Sequence, residues 1–549
     1  MSSFTGHADH LDRSQEAPQG LPRTPYSRVK EQRKSSCRGH YQPRLPPNHL
    51  KAGSVSQYIN GKTLEGSTGE TLNVIDPSNG ETVATMTLAG SDDVQQAVQA
   101  ARDAFPAWSA ATPAERSAVL TKFAALMEER AEEFAQLESR QAGKPIRLTR
   151  EFDVPGTIDT IAFFAGAARN LEGKATGEYS ADHTSSIRRE AIGVIGSISP
   201  WNYPLQMAAW KILPAIAAGN TIVLKPAEIT PLSSLLFAEV ATEAGVPDGV
   251  INVLTGRGST VGAELLRHPD VDMLSFTGST VVGRTVLEAA ATTAKRVHLE
   301  LGGKAPFVVF EDADLEAAIH GAVAGSLINT GQDCTAATRA IVHRSLYEDF
   351  VEGVAGLYAK VKLGPTQDPT TDLGPLVSEV HRDKVAEMVE RARGYARVIG
   401  GGIPNKEQDG NLANGSYYRP TLVADATPDS EIFRDEVFGP VLAVTPFDTD
   451  DEAIILANDT PYGLAASAWT KDVYRALRAT REIRAGAVWV NDHIPIISEM
   501  PHGGFKQSGF GKDMSTYSFD EYTVVKHVMF DLTADKAKDW HRIIFTLDS

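Results

Sequence analysis

The segments Gly193-Val194-Ile195-Gly196-Ser197-Ile198-Ser199 and Thr221-Ile222-Val223-Leu224-Lys225 decide the fold of this chain. Each is a short apolar run rich in β-branched residues, and the stretch between them, about 205–218, carries apolar residues at helical spacing. Strand, helix, strand in that order is a crossover unit, which requires the two strands to be parallel. The pattern continues with strands near 250–254 and 273–276 and helices near 231–244, 259–267 and 280–291. Successive units of this kind predict a parallel, doubly wound sheet of the nucleotide-binding type.

Downstream the alternation resumes, with strands near 306–310, 339–343, 418–423, 441–446 and 487–490 and helices near 314–329, 345–361, 378–395 and 450–458. That is a second α/β domain. Upstream, Gln57-Tyr58-Ile59-Asn60-Gly61-Lys62 reads as a strand and turn, followed by a hairpin around Asp76-Pro77-Ser78-Asn79-Gly80. Helices are expected from Ser91, from about 113 to 141 and from about 152 to 171. The polar extended segment 178–190 and a terminal strand at 522–531 read as an arm that reaches another subunit. The expected fold class is therefore α/β, with two doubly wound α/β domains, one nucleotide-binding and one catalytic, plus a small β oligomerisation arm. Residues 55–177 and 191–302 make the first domain, 303–514 the second, and 178–190 with 515–549 the arm. The segment 1–54, rich in Pro, Arg, Ser and Gln without apolar periodicity, is expected to be disordered.

The net charge of -17 hides an asymmetry. Residues 1–50 carry eight Lys/Arg against four Asp/Glu, which leaves 45 basic and 66 acidic residues in the remainder, a net of -21. Such a body repels nucleic acid and anionic membranes, so neither is an expected partner. No run reaches the roughly 18 apolar residues of a membrane helix. The start lacks a charged segment followed by an apolar core, so no secretory signal is expected. The two cysteines, Cys37 and Cys334, are too few for a disulfide framework, and a reducing cytoplasm is the expected compartment.

Several chemistries fail on the residues themselves. No serine has glycine at both −2 and +2, no Walker spacing occurs, and the only tight histidine pair, His7 and His10, lies in the basic tail, so no metal site is expected. Gly256-Arg257-Gly258-Ser259-Thr260-Val261-Gly262 misses the dinucleotide fingerprint because its last glycine comes one residue late. A better phosphate site is Phe276-Thr277-Gly278-Ser279-Thr280, where a strand runs straight into a helix whose free N–H groups favour an anion at Gly278 and Ser279. Lys225 and Glu228, at the end of a strand, offer a donor and an acceptor for ribose, and the Glu228 carboxylate favours NAD over its 2′-phosphorylated form.

A lone cysteine is ordinarily a small buried hydrophobe. Cys334, however, sits in Gly331-Gln332-Asp333-Cys334-Thr335, among small and polar residues that suit a reachable thiol, with Glu300 upstream as a candidate base. Asn202, in the rigid Ser199-Pro200-Trp201-Asn202-Tyr203-Pro204 turn, can donate N–H to an oxyanion together with the Cys334 backbone.

These motifs, in this order and near these spacings, resemble the NAD(P)-dependent aldehyde dehydrogenases: Pro200-Trp201-Asn202-Tyr203-Pro204, Lys225-Pro226-Ala227-Glu228, Phe276-Thr277-Gly278-Ser279-Thr280, Glu300-Leu301-Gly302-Gly303-Lys304, Gly331-Gln332-Asp333-Cys334 and Glu436-Val437-Phe438-Gly439-Pro440. The resemblance covers roughly 56–531, and Val437 stands where Ile is common. It implies NAD as cofactor, a small-molecule aldehyde as substrate and a homo-oligomer, dimer or tetramer. It also implies Cys334 as nucleophile, Glu300 as the base that activates water and Asn202 as oxyanion donor. Trp201, Lys225, Glu228, Gly278, Ser279, Glu436 and Phe438 are the implied cofactor contacts. Within the family, Gly331 to Ala337 and the run Met500-Pro501-His502-Gly503-Gly504-Phe505-Lys506 resemble the γ-aminobutyraldehyde (1-pyrroline) dehydrogenases. An ammonium-bearing substrate needs aromatic faces or carboxylates, and Tyr203, Trp210, Trp489, Asp492 and Glu499 are the candidates. Betaine aldehyde or a semialdehyde is the rival substrate, and a silent scaffold the remote alternative.

Overall fold

In the computed structural model, which describes residues 56–545, the crossover unit built on Val194–Ile198 and Thr221–Lys225 lies at the centre of an eight-stranded sheet. Five strands are parallel, in the order Arg296–Glu300, Met273–Thr277, Val194–Ile198, Thr221–Lys225 and Ile251–Val253. The chain thus winds outward from Val194–Ile198 in one direction and then returns to its other side. At that reversal the loops after Ile198 and Thr277 diverge and leave a crevice, the usual ligand position in such sheets. Helices cover both faces. One apolar cluster gathers Leu120, Phe123, Phe164, Ile212 and Phe237, and the other Val94, Val223, Leu274 and Val286.

A second, seven-stranded sheet runs in the order Arg397–Gly400, Thr421–Ala424, Val441–Phe447, Ala337–His343, Ala305–Val309, Ala465–Trp469 and Ala487–Val490. All of its pairings are parallel except that of Arg397–Gly400 with Thr421–Ala424. It too has an apolar cluster on each face. A three-stranded antiparallel sheet joins Gly177–Ser180, His183–Ala191 and Thr523–Asp531, the last two in register from Thr523↔Ala191 to Asp531↔His183. Among the described residues no helix is long and apolar enough to cross a membrane.

Several elements depart from the sequence reading. The strands Arg296–Glu300, Arg397–Gly400 and Ala465–Trp469 and the helix Val473–Glu482 are additions, and the helix expected over 113–141 is two, Pro113–Glu129 and Ala131–Ala142. The break falls at Arg130, whose backbone leaves the helical region while its guanidinium grips Glu133 at 2.8 Å. Gly509–Phe510, far along the chain, pairs antiparallel with Leu299 and Glu300 at the edge of the first sheet. The expected disorder of 1–54 and the histidines at 7 and 10 lie outside the described residues.

The second sheet contains an unusual support. Arg339, wholly buried, donates to the carbonyls of Leu456 (3.0 Å), Ala457 (2.9 Å) and Asp459 (3.3 Å) at the C-terminal end of the helix Asp450–Asn458. A cation there satisfies carbonyls that the helix itself cannot. Replacing Arg339 with Leu takes the guanidinium donor from these carbonyls and leaves Leu456 only its bond from Asp459 N–H, so the denaturation midpoint is expected to fall by the equivalent of roughly 2–3 kcal/mol. An unchanged midpoint in urea titrations would show that the contacts carry no stability.

Candidate active site

The crevice at the reversal of the first sheet opens into a cavity of about 260 Å³ lined by both halves of the molecule. Asn202 and Trp201 come from the loop after Val194–Ile198, Gly278 and Ser279 from the loop after Met273–Thr277, and Glu300 from the end of Arg296–Glu300. Cys334, Glu436 and Phe438 come from the second sheet's side. One cavity therefore gathers the thiol, the proposed base and the amide from positions far apart in the chain.

A reciprocal amide contact sets the thiol's position. Asn202 Nδ2 donates to the Gln332 carbonyl at 2.9 Å, and Asn329 Nδ2 donates back to the Asn202 carbonyl at 2.8 Å. This uses one hydrogen of the Asn202 amide and leaves the other for a ligand. Burial, reinforced by the charges of Asp333, Glu436 and Glu300, pushes the Cys334 thiol well above its ordinary range. Burial also raises the Glu300 carboxyl, with the Asp513 charge adding to it.

Neither Glu300 oxygen has a hydrogen-bond partner within the protein. His298 Nε2 lies 3.6 Å from one and His502 Nδ1 3.8 Å from the other, too far for formed bonds. Gly503 is required here, since a Cβ would stand 2.4 Å from the Glu300 carboxylate. Two buried ion pairs flank the cavity. Lys211 bonds both oxygens of Asp513 at 3.1 and 2.8 Å. On the opposite side Lys144 bonds Asp153 at 2.7 Å and lies 3.7 Å from the centre of the Tyr203 ring, while the Tyr203 hydroxyl donates to Asp333 at 2.7 Å. Thr335 donates twice more to Asp333, at 2.7 and 2.6 Å, so the carboxylate beside Cys334 is fixed. His298, Glu300 and Asp513 bring possible ligand atoms within 4.8 Å of one another. Of the three, Asp513 is already paired with the Lys211 ammonium.

The cofactor candidates divide into two groups. Trp201, Gly278, Ser279, Glu436 and Phe438 line the cavity, whereas Lys225 and Glu228, paired at 3.1 Å, lie beyond its lining at the end of the neighbouring strand. Ser279 caps the helix Thr280–Ala291 by accepting from Val282 N–H, and Val281 beside it is 73% exposed, which leaves the helix start open. Glu436 accepts from Gly303 N–H at 2.8 Å, and burial pushes its carboxyl up to about 7. A Cβ at Gly302 would meet that carboxylate at 2.4 Å, and one at Gly303 the Cys334 carbonyl at 2.2 Å. Trp201 and Phe438 pack edge to face at 5.3 Å, with His381 as a third ring. These bare backbones, the open helix start and the aromatic wall fit an extended dinucleotide.

Of the substrate candidates, Tyr203 and Trp210 line the cavity with Phe152, Met207 and Ile496. Trp489, Asp492 and Glu499 do not. Left-handed backbone at Asn491 (φ 55°) and Ile494 (φ 87°) turns the loop so that Ile496 faces the cavity. Asp492 and Glu499 remain exposed, and the Trp489 indole donates to the Pro495 carbonyl at 3.0 Å. Lys211, Asp513, His298, His502 and Asp333 are the functional neighbours that sequence reasoning missed. One signal was available: Lys211 is the only charged residue in the otherwise apolar helix Pro204–Ala217.

The profile of the aldehyde dehydrogenase family matches residues 64–528. A betaine aldehyde dehydrogenase of Bacillus subtilis (strain 168) is 40% identical over 491 residues, which span 89% of this chain and 99% of that protein. Among solved structures, the NAD+ complex of an aldehyde dehydrogenase from Bacillus cereus superposes with a TM-score of 0.86 at 39% identity, covering 89% of this chain and 99% of that one. A betaine aldehyde dehydrogenase from Staphylococcus aureus in complex with NAD+ gives 0.86 at 36% identity, covering 89% and 97%.

Breaking the Lys211–Asp513 pair isolates a buried charge. Lys211→Met is expected to cost about 3–5 kcal/mol of stability, and the double replacement Lys211→Met with Asp513→Leu considerably less. Denaturation midpoints for wild type and the two variants check this, and equal losses in the single and double variants would refute it.

Proposed function

The chain belongs to the aldehyde dehydrogenase family, and from that premise we propose that it oxidises a short aldehyde with a cationic far end, 4-aminobutanal first, to the carboxylate with NAD. The observation that carries the choice of substrate is the cavity wall. Tyr203, Trp210, Phe152, Met207 and Ile496 supply aromatic and apolar faces, Asp333 supplies a fixed carboxylate, and among the described lining residues none is Lys or Arg. Ring faces attract an ammonium group, and a carboxylate completes its neutralisation. A semialdehyde, anionic at its far end, finds no cation in this wall. Betaine aldehyde is the second reading, favoured by the names of the relatives. Its quaternary nitrogen has no N–H to give Asp333, whereas a primary ammonium has three.

In this reading Cys334 adds through sulfur to the aldehyde carbon. Its raised thiol must first lose a proton, and Glu300, whose own carboxyl is also raised by burial, receives it. The free Asn202 amide hydrogen and the Cys334 N–H hold the resulting oxyanion. NAD, when bound, accepts the hydride, and the carbon is left as a thioester on Cys334. Glu300, after passing the thiol's proton to solvent, takes a proton from water as that water attacks the thioester carbon and hands it to the departing Cys334 sulfur, which releases the acid and restores the thiol. Gly278, Ser279 and the start of Thr280–Ala291 are assigned to the pyrophosphate, Lys225 and Glu228 to the adenosine ribose, and Glu436, Phe438 and Trp201 to the nicotinamide end. This reading gives 55–177 and 191–302 the cofactor, 303–514 the nucleophile, and 178–190 with 515–549 the arm. The exposed row Val525, Met529 and Phe530 on the edge strand Thr523–Asp531 supports pairing with a second copy.

The test is a rapid-mix assay with 4-aminobutanal, betaine aldehyde, succinic semialdehyde and an uncharged aldehyde of matched length. Wild type is expected to give a burst of NADH that Cys334→Ala abolishes. Asp333→Asn is expected to lower the preference for the amino aldehyde over the uncharged one about tenfold, the scale of a lost charged hydrogen bond. Asp492→Ala and Glu499→Ala leave it unchanged. Equal kcat/KM for charged and uncharged aldehydes in wild type would sink the substrate assignment, and absence of a burst with every aldehyde the reaction itself.

A further inference from the structure

His298 is a buried, uncharged imidazole on the same strand and face as Glu300, two residues before it. Burial, with the nearby Lys211 charge, pushes it well below the ordinary histidine range, so it is neutral near pH 7. The mechanism above does not use it. Its tautomer follows from hydrogen-bond direction. The Tyr522 hydroxyl donates to Ser275 Oγ at 3.0 Å. Ser275 Oγ lies 3.0 Å from His298 Nδ1 and, having accepted from Tyr522, gives its own proton to that nitrogen. Nδ1 is thus an acceptor, and the ring proton sits on Nε2.

Nε2 faces carboxylate oxygens, Glu300 Oε1 at 3.6 Å and Asp513 Oδ1 at 3.8 Å, which would repel a lone pair there. It has no hydrogen-bond partner in the protein, and neither has either oxygen of Glu300. Three buried polar atoms thus converge without being satisfied, and a movement of a few tenths of an ångström makes a bond between the ring N–H and Glu300.

Resting on the dehydrogenase reading, we propose that His298 is a positioning residue: its Nε2–H, held in place by the Tyr522–Ser275–His298 chain, orients Glu300 and stabilises its carboxylate form for the attack of water on the thioester. Other groups act on the same carboxylate. Lys211 on the helix Pro204–Ala217 and Lys512 on the late loop favour the anion, while Asp513 and, on the last helix, Glu521 oppose it. His502, also neutral with its pKa pushed down to about 4 by burial, approaches the second oxygen. Among these, His298 is the neutral donor whose proton is fixed by a hydrogen-bond chain from the first sheet's interior.

Glu300 works as a base above its own pKa, and a lost donor moves that pKa upward. In His298→Leu the NADH burst should keep its amplitude, though it forms more slowly at neutral pH because Glu300 also receives the thiol proton, while the steady rate that follows it falls. The fall should be about tenfold at neutral pH, as for a base whose pKa has risen by about one, and should disappear at high pH. His298→Gln carries an amide N–H near the Nε2 position and is expected to restore the wild-type pH profile. Tyr522→Phe, which frees the tautomer but keeps the ring, should move the profile in the same direction by less. A loss of rate uniform across pH with no rescue by Gln, or a profile unmoved in both His298→Leu and Tyr522→Phe, overturns the proposal. Absence of a burst in wild type with every aldehyde would remove the underlying reading and this proposal with it, an outcome recognisable because it precedes any mutation.

Discussion

Two side-chain amides hold the working parts of this molecule together. Asn202 and Asn329 each donate to backbone across the seam between the first sheet's loop and the turn before Cys334, and both contacts are buried. The turn they hold is strained. Asn329, Thr330 and Gly331 are successive left-handed residues at φ 48°, 58° and 71°, of which only the glycine adopts that region freely. Gln332 helps to hold it, accepting from Val377 N–H and donating to the Asn329 carbonyl. A Cβ at Gly331 would stand 2.1 Å from the Gly439 carbonyl, so the second sheet's loop closes directly over this turn. A cysteine on an ordinary helix end would need none of this; the strain is the cost of aiming one thiol at one amide.

The second constraint is electrostatic. The cavity wall carries Glu300, Asp333, Glu436 and Asp513, and Lys211 bonds only the last of these. Burial without enough compensating cations raises the thiol and the carboxyls of Glu300 and Glu436 together. The thiol and the Glu300 carboxyl therefore both hold their protons more tightly than they would in water. Asp333 accepts three hydrogen bonds from Tyr203 and Thr335, which fix its carboxylate in place.

Much of this was legible in the chain, and the rest was hidden for identifiable reasons. The central strands could be read because β-branched runs buried on both faces leave an uninterrupted apolar signature. Arg296–Glu300 was missed because its buried positions include His298 and Glu300, polar residues tolerated only where partners or a cavity receive them. Ala465–Trp469 is built mainly from alanine, which packs well under large neighbours but has little strand preference of its own. Arg397–Gly400 is an edge strand with no fully buried residue. Cys334, Glu300, Asn202 and the Gly278–Ser279 loop lie on local motifs, and the fold brings them to one cavity. The acids at 492 and 499 were misjudged as a site wall because two left-handed residues set the direction of their loop, and no local pattern announces them. Lys211 and Asp513 are separated by most of the chain, and only the fold reveals that each needs the other.

The pairing of Gly509–Phe510 with Leu299–Glu300 bears on how the molecule is made. On the ribosome the strand that carries Glu300 emerges long before its edge partner, and the whole second sheet must be synthesised in between. Until then the nascent chain presents an open strand edge with an unpaired row of backbone donors and acceptors, and the Lys211 ammonium has no carboxylate to meet. Such a half-built intermediate invites misassembly and is a natural client for chaperones. The surroundings of Glu300 are thus completed only after the second sheet has been made, so that a chain cut before Gly509 would carry Cys334 and Glu300 without the edge strand and the carboxylate that frame them.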